Sequence, residues 1–251
     1  MSKIYFYKHI KPIHYLITVS LILLSIIVYV NIENVNRFSE DFLVYRSLRS
    51  FSSFVFLVII LIFQKRKINI FLLAFIFFYT ASSFSTIWYE NEYLATLSMG
   101  LNSLSFLSLI VYVIPKIKDI KIDFFVISSF TLIGLILSYL GYQFVFSFKE
   151  FTLSNLHYFF IILNVFFIVI ITFLGILYNH KLSSKISLLF MGFVIALLFA
   201  EVFRGIAYYN LLNENISVHI SRGLFIISMA IFSIYALLNN KENEENIQYI
   251  N

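Results

Sequence analysis

The sequence predicts an all-α protein, a polytopic bundle of about eight transmembrane helices with both termini in the cytoplasm. Three observations carry this. Of the 251 residues, 61% are hydrophobic and only 12% charged, with a mean hydropathy of +0.91, where a soluble domain carries about a quarter charged residues. The apolar residues gather into runs close to the ~20 needed to cross hydrocarbon as a helix, the open-ended element that satisfies its own backbone there. The basic residues cluster in alternate connectors.

The spans are expected near 13–31, 45–64, 68–88, 94–114, 124–144, 157–178, 186–206 and 219–238, forming a single transmembrane domain over 1–251. The first follows Lys3, Lys8 and Lys11. It is too long for the apolar core of a leader and lacks a small-residue cleavage site, so no cleaved signal peptide is expected. The second has a short apolar stretch, Phe51 to Phe63, so spanning requires the preceding turns, with Arg46 and Arg49 reaching towards the headgroups. Trp88 with Tyr89, and Tyr208 with Tyr209, suit an interfacial aromatic belt. Residues 239–251, with Glu242, Glu244 and Glu245, form a polar tail expected to fray.

Orientation follows from charge. Twelve basic residues fall on one side, at Lys3, Lys8 and Lys11, Lys65 to Lys67, Lys116, Lys118 and Lys121, Lys181 and Lys185, and Lys241. That side is the cytoplasm by the positive-inside rule. The other side has Arg37, Arg46, Arg49 and Lys149, with Arg204 and Arg222 at its membrane edge. The expected location is a bacterial inner (plasma) membrane, and the expected partners are membrane lipids.

Several classes are excluded. Basic residues divided among connectors do not build a nucleic-acid face. The absence of cysteine removes disulfides, thiolate nucleophiles and Cys-ligated metals. There is no Gly-rich phosphate loop, no HExxH and no GxSxG, and no lysine lies deep in a span. No cofactor or metal is implied, and nothing sets an oligomeric state.

The remaining signals are polar residues inside spans. Glu201 is the only acid within one, and Arg204 and Tyr208 continue its face. The pattern suits either a structural ion pair near the outer headgroups or part of a polar pocket. Ser98, Asn102, Ser105 and Ser108 form a stripe on the fourth helix, where small hydroxylated residues serve helix packing or a site. Tyr79, Ser82, Ser83 and Thr86 do the same on the third, and His157 and Asn164 on the sixth. Most of these map to the outer halves of their helices. The expectation is an outer-side polar pocket bounded by helices three, four, six, seven and eight, with Ser83, Asn102, Asn164, Arg204 and Arg222 binding a lipid-like or amphipathic small molecule.

The segment Thr80 to Tyr112, TASSFSTIWYENEYLATLSMGLNSLSFLSLIVY, with Gly100, Leu101, Phe106 and Tyr112, resembles the third and fourth helices of the YhhN family. Met191 to Glu201, MGFVIALLFAE, is similar to its seventh, with Gly192 leading into an acidic position. The resemblance covers most of the chain in layout. It implies eight spans and, from the family's best known members, lysoplasmalogenase activity, the cleavage of a vinyl ether in lysoplasmalogens. The family places an Asp in the third helix and another in the seventh to serve hydrolysis. Here Ser82, Ser83 and Ser85 occupy the first region, and Glu201 stands near the second, one residue out of register with Gly192.

Three readings follow. The first is a binding protein for a lipid-like molecule. The second is an ether-lipid hydrolase using Glu201 and His157 as acid and base, with Asn102, Ser83 or Arg204 orienting the head. The third is a small carrier or a membrane scaffold, although seven glycines and two prolines favour unbroken helices over a carrier's broken ones.

Overall fold

The computed structural model describes residues 15–24, 26, 40–64, 68–118, 124–208 and 214–248. All regular structure among them is helical. The α-helices are α1 (Tyr15–Leu24), α2 (Glu40–Gln64), α3 (Ile70–Ser85), α4 (Glu92–Ile117), α5 (Phe124–Ser147), α6 (Asn155–Leu182), α7 (Lys185–Tyr208) and α8 (Glu214–Gln248), with short 3-10 turns at Thr86–Trp88 and Lys149–Phe151.

Among the described residues six stretches are long and apolar enough to cross a membrane: Leu43–Phe63, Ile70–Trp88, Glu92–Ile117, Asn155–Leu182, Lys185–Tyr208 and Ile216–Asn239. The described part of the first expected span gives a shorter apolar helix, Tyr15–Leu24, and the fifth lies within α5, of which Gly134–Ser147 is the apolar stretch. The chain is thus an all-α, multi-pass integral membrane protein. The far end of the first expected span (27–31), the basic connector 65–67, Lys121 and Tyr209 lie outside the described residues. Within the expected tail α8 continues to Gln248. Its Lys, Glu and Gln residues are good helix formers in water.

Two compact units are present, one of Met1–Asn69 with Ile195–Asn251 and the other of Ile70–Val194, so the division falls within α7.

In the second unit α3 packs on α4, α4 on α6, and α5 on α6. Local chemistry sets the helix ends. Asn91 caps α4, its Oδ1 accepting from the N–H groups of Tyr93 and Leu94 at 3.0 and 3.3 Å. Ser154 caps α6 by accepting from His157 N–H. Ser183 ends α6 in the left-handed region, φ 45°, donating its N–H to Asn179 O at 2.8 Å. Lys181 Nζ, near the end of α6, donates to the carbonyl of Lys118 just after α4. These two helices therefore finish at the same end of the unit, in the arrangement that the alternation of basic connectors requires. The core is aromatic, with Phe75 edge-on to Phe193 at 5.5 Å and Tyr178 edge-on to Phe190 at 5.7 Å. At Gly175 an added Cβ would lie 2.6 Å from Val194 Cγ2, so glycine is what lets α6 and the start of α7 approach. By contrast α5 exposes Leu132, Leu135, Tyr139 and Tyr142, a face suited to lipid.

In the first unit α2 packs on α8. Its small core joins Tyr45, Ala207 and Val218, with Tyr208 against it.

Candidate functional site

The seven residues singled out from sequence divide between the units. Glu201, Arg204 and Arg222 belong to the first, and Ser83, Asn102, His157 and Asn164 to the second.

In the first unit α2, α7 and α8 bring an ionic cluster together. Glu201 Oε1 accepts from Arg49 Nη2 at 2.8 Å, and Oε2 pairs with Arg204 one turn along α7. The Glu201–Arg204 pair was legible as an i,i+3 spacing. Arg49 was not, and here the structure corrects the expectation that Arg46 and Arg49 reach for headgroups. Both are buried. Arg46 lies over the Tyr208 ring at 5.4 Å and Arg49 over Phe225 at 5.3 Å. The signal was present in α2, where Tyr45, Arg49, Ser52 and Phe56 recur at spacings of four, three and four and are all buried, so the arginine lies on the inward stripe.

Arg222, only 4% exposed, stacks on Tyr45 at 4.4 Å. Among the described residues no hydrogen bond reaches its Nε, Nη1 or Nη2. It lines a cleft with Tyr45, Leu48, Arg49, Ser52, Ser221 and Phe225, of about 270 Å³ with the open mouth included. The enclosed part admits a group of about one water's size. Ser221 donates to the Ala200 carbonyl and Ser52 to that of Leu48, so the backbone already occupies both hydroxyl protons.

In the second unit the polar stripes become cross-helix hydrogen bonds. Ser82 Oγ donates to Ser98 O at 2.8 Å and Ser98 Oγ to Ser82 O at 3.1 Å, a reciprocal clasp of α3 and α4. Asn102 Nδ2 donates to Asn164 Oδ1 at 3.0 Å, and Asn164 Nδ2 to Met99 O at 2.9 Å, joining α4 to α6. Ser98, Asn102 and Ser105 are buried, as the stripe required, and Ser108 is half-buried and bonded to Leu104 O. Ser83 donates its hydroxyl to Tyr79 O in its own helix.

His157 is fully buried. Its Nδ1 accepts from Leu153 N–H at 3.3 Å and its Nε2 lies 2.7 Å from Tyr89 Oη. A ring nitrogen that accepts carries no proton, so this geometry assigns the proton to Nε2. Tyr89 is thereby a correction too. It is 4% exposed and ties the end of α3 to the start of α6, whereas its neighbour Trp88 is 57% exposed.

Among the described residues no group of three or more His, Cys, Asp or Glu is arranged to hold a metal. No protein-family model, no curated protein and no solved structure matches the chain.

Proposed function

We propose that this multi-pass membrane protein binds an amphipathic, lipid-like molecule at the arginine-rich cluster of its first unit, on the outer side of a plasma membrane. The single observation that carries the reading is the Arg49–Glu201–Arg204 constellation inside two apolar spans, Leu43–Phe63 and Lys185–Tyr208. Ionisable groups within spans are costly, and their presence there points to function before packing. The adjoining cleft is amphipathic, with Leu48 and Phe225 offering apolar contact and Arg49 and Arg222 offering charge.

Binding is favoured over ether-lipid hydrolysis on the same geometry. Both carboxylate oxygens of Glu201 engage guanidinium groups, and both ring nitrogens of His157 engage neighbours in the second unit. A general acid or base needs a site free to exchange a proton with substrate. The resemblance to the YhhN family stays with the segments Thr80 to Tyr112 and Met191 to Glu201, and it supports a lipid-like ligand.

The test is photo-crosslinking in native membranes with a diazirine-bearing lysolipid. The reading expects labelling of peptides containing Leu48 to Ser52 and Ser221 to Phe225, competed by unlabelled lysolipid. Uniform labelling of all lipid-exposed helices, without competition, would contradict it. Turnover of lysoplasmalogen by purified protein, abolished in Glu201→Gln, would replace binding with hydrolysis.

A further inference from the structure

We infer that the cleft beside Arg222 is a subsite for a terminal oxyanion, a carboxylate or a phosphate monoester, which Arg222 grips with the guanidinium edge that faces no protein acceptor. This rests on the amphipath reading and deepens it by naming the chemistry of the head.

The argument starts from the side chain. Arginine stays protonated in proteins and presents five N–H donors with no acceptor. Arg222 is more than nine-tenths buried, inside the apolar span Ile216–Asn239, and its three nitrogens have no hydrogen-bond partner among the described residues. The Tyr45 ring answers one face of the cation, but a π-face accepts nothing in the guanidinium plane, where the N–H groups point. Buried donors of that charge call for an acceptor, and the best match to a planar fork is a group with two oxygens on one atom.

The surroundings give the sign and the size. Arg49 lines the same cleft, while the carboxylate identified in the cluster, Glu201, is bonded to Arg49 and Arg204. Ser52 and Ser221 have given their protons to backbone carbonyls, so neither supplies a donor, and the guanidinium of Arg222 sets the sign. The cleft therefore favours an anion over a cation or a neutral hydroxyl. Because its enclosed part admits only a water-sized group, a single terminal oxygen can enter it while the rest of the head stays in the open mouth, so the oxygens must stand at the very end of the head. A phosphodiester flanked by a bulky alcohol would keep its oxygens outside. A fatty-acid carboxylate or an unsubstituted phosphate would reach Arg222, with the apolar chain running past Leu48 and Phe225. A free small anion shares that chemistry.

The full chain in neutral phosphatidylcholine nanodiscs, with decanoate, decanol, acetate and inorganic phosphate as probes, decides the matter by concentration-dependent shifts in unfolding temperature. Decanoate is expected to bind saturably and roughly tenfold or more tightly than decanol, a preference lost in Arg222→Gln and partly kept in Arg222→Lys. Acetate or phosphate binding as strongly, with the same dependence on Arg222, would support the subsite and identify a free anion as its occupant. Equal binding of decanoate and decanol to the wild-type protein would overturn the oxyanion subsite while leaving an amphipath site standing. A decanoate preference undiminished in Arg222→Gln would also overturn it. If no probe binds, both readings fail. Should Arg222→Gln not fold, the wild-type comparison of decanoate with decanol still decides.

Discussion

Arg49 and Glu201, 152 residues apart in sequence, meet at 2.8 Å where α2 passes α7, and the carboxylate is shared with Arg204. Removing one member of a buried pair leaves the other charge without its partner and typically costs about 3–5 kcal/mol, whereas replacing both by apolar groups costs less or nothing. Glu201→Gln should therefore destabilise the protein by about that amount in equilibrium unfolding. Adding Arg49→Met should recover part of the loss. A double variant equal to or worse than the sum of the singles would show that the two do not act as a pair.

The reciprocal bonds of Ser82 and Ser98 should behave as a modest clasp. Interhelical hydrogen bonds in membrane proteins couple by about 0.6 kcal/mol on average and up to about 1.7. A double-mutant cycle with Ser82→Ala and Ser98→Ala, read by unfolding in mixed micelles, should give a coupling in that range. Strict additivity would mean that the hydroxyls do not cooperate across α3 and α4.

Asn102 and Asn164 offer a sharper contrast. Asn164→Leu takes away the acceptor of Asn102 Nδ2, and Asn102 Oδ1 has no hydrogen-bond partner among the described residues. The orphaned amide, 1% exposed, should cost about 1–3 kcal/mol. Converting both residues to Leu removes both polar ends and should cost less than Asn164→Leu alone, as thermal unfolding of the three variants would reveal.

Gly175→Ala tests the approach of α6 to α7. The new Cβ would meet Val194 Cγ2 at 2.6 Å, and a β-branched side chain has little rotamer freedom with which to move aside. Destabilisation of about 1–3 kcal/mol is expected. Combining it with Val194→Ala should relieve most of this. At Gly192, where an added Cβ meets nothing within 4 Å, alanine should be harmless in the same assay.

How much of this the sequence made legible depended on the range of the interaction. Helix type and the inward turn of Ser98, Asn102 and Ser105 follow from local periodicity, which a single helix displays by itself. The Glu201–Arg204 pair likewise lies within one turn. The partners joined across helices did not announce themselves, since nothing in the neighbourhood of Arg49 specifies Glu201, and nothing near Tyr89 specifies His157. Arg46 and Arg49 were misplaced for a physical reason. An arginine near the end of an apolar run can snorkel or turn inward, and the choice rests on whether neighbouring helices supply a carboxylate or an aromatic face, which Glu201, Tyr208 and Phe225 do. The expected pocket drew on residues that fall into two compact units, and of them only Arg222 lines the cleft described.

The central claim, that the cleft beside Arg49 and Arg222 is accessible and electropositive, can be tested without knowing the ligand. Because the chain contains no cysteine, Ser52→Cys places the only thiol in the protein on the cleft wall. Its reaction rate should be measured with an anionic and with a cationic methanethiosulfonate in neutral nanodiscs, alone and together with Arg222→Gln. Faster reaction with the anionic reagent, with the preference reduced in Arg222→Gln, is the predicted result. A thiol inert to both reagents, or one that favours the cationic reagent, would contradict the account.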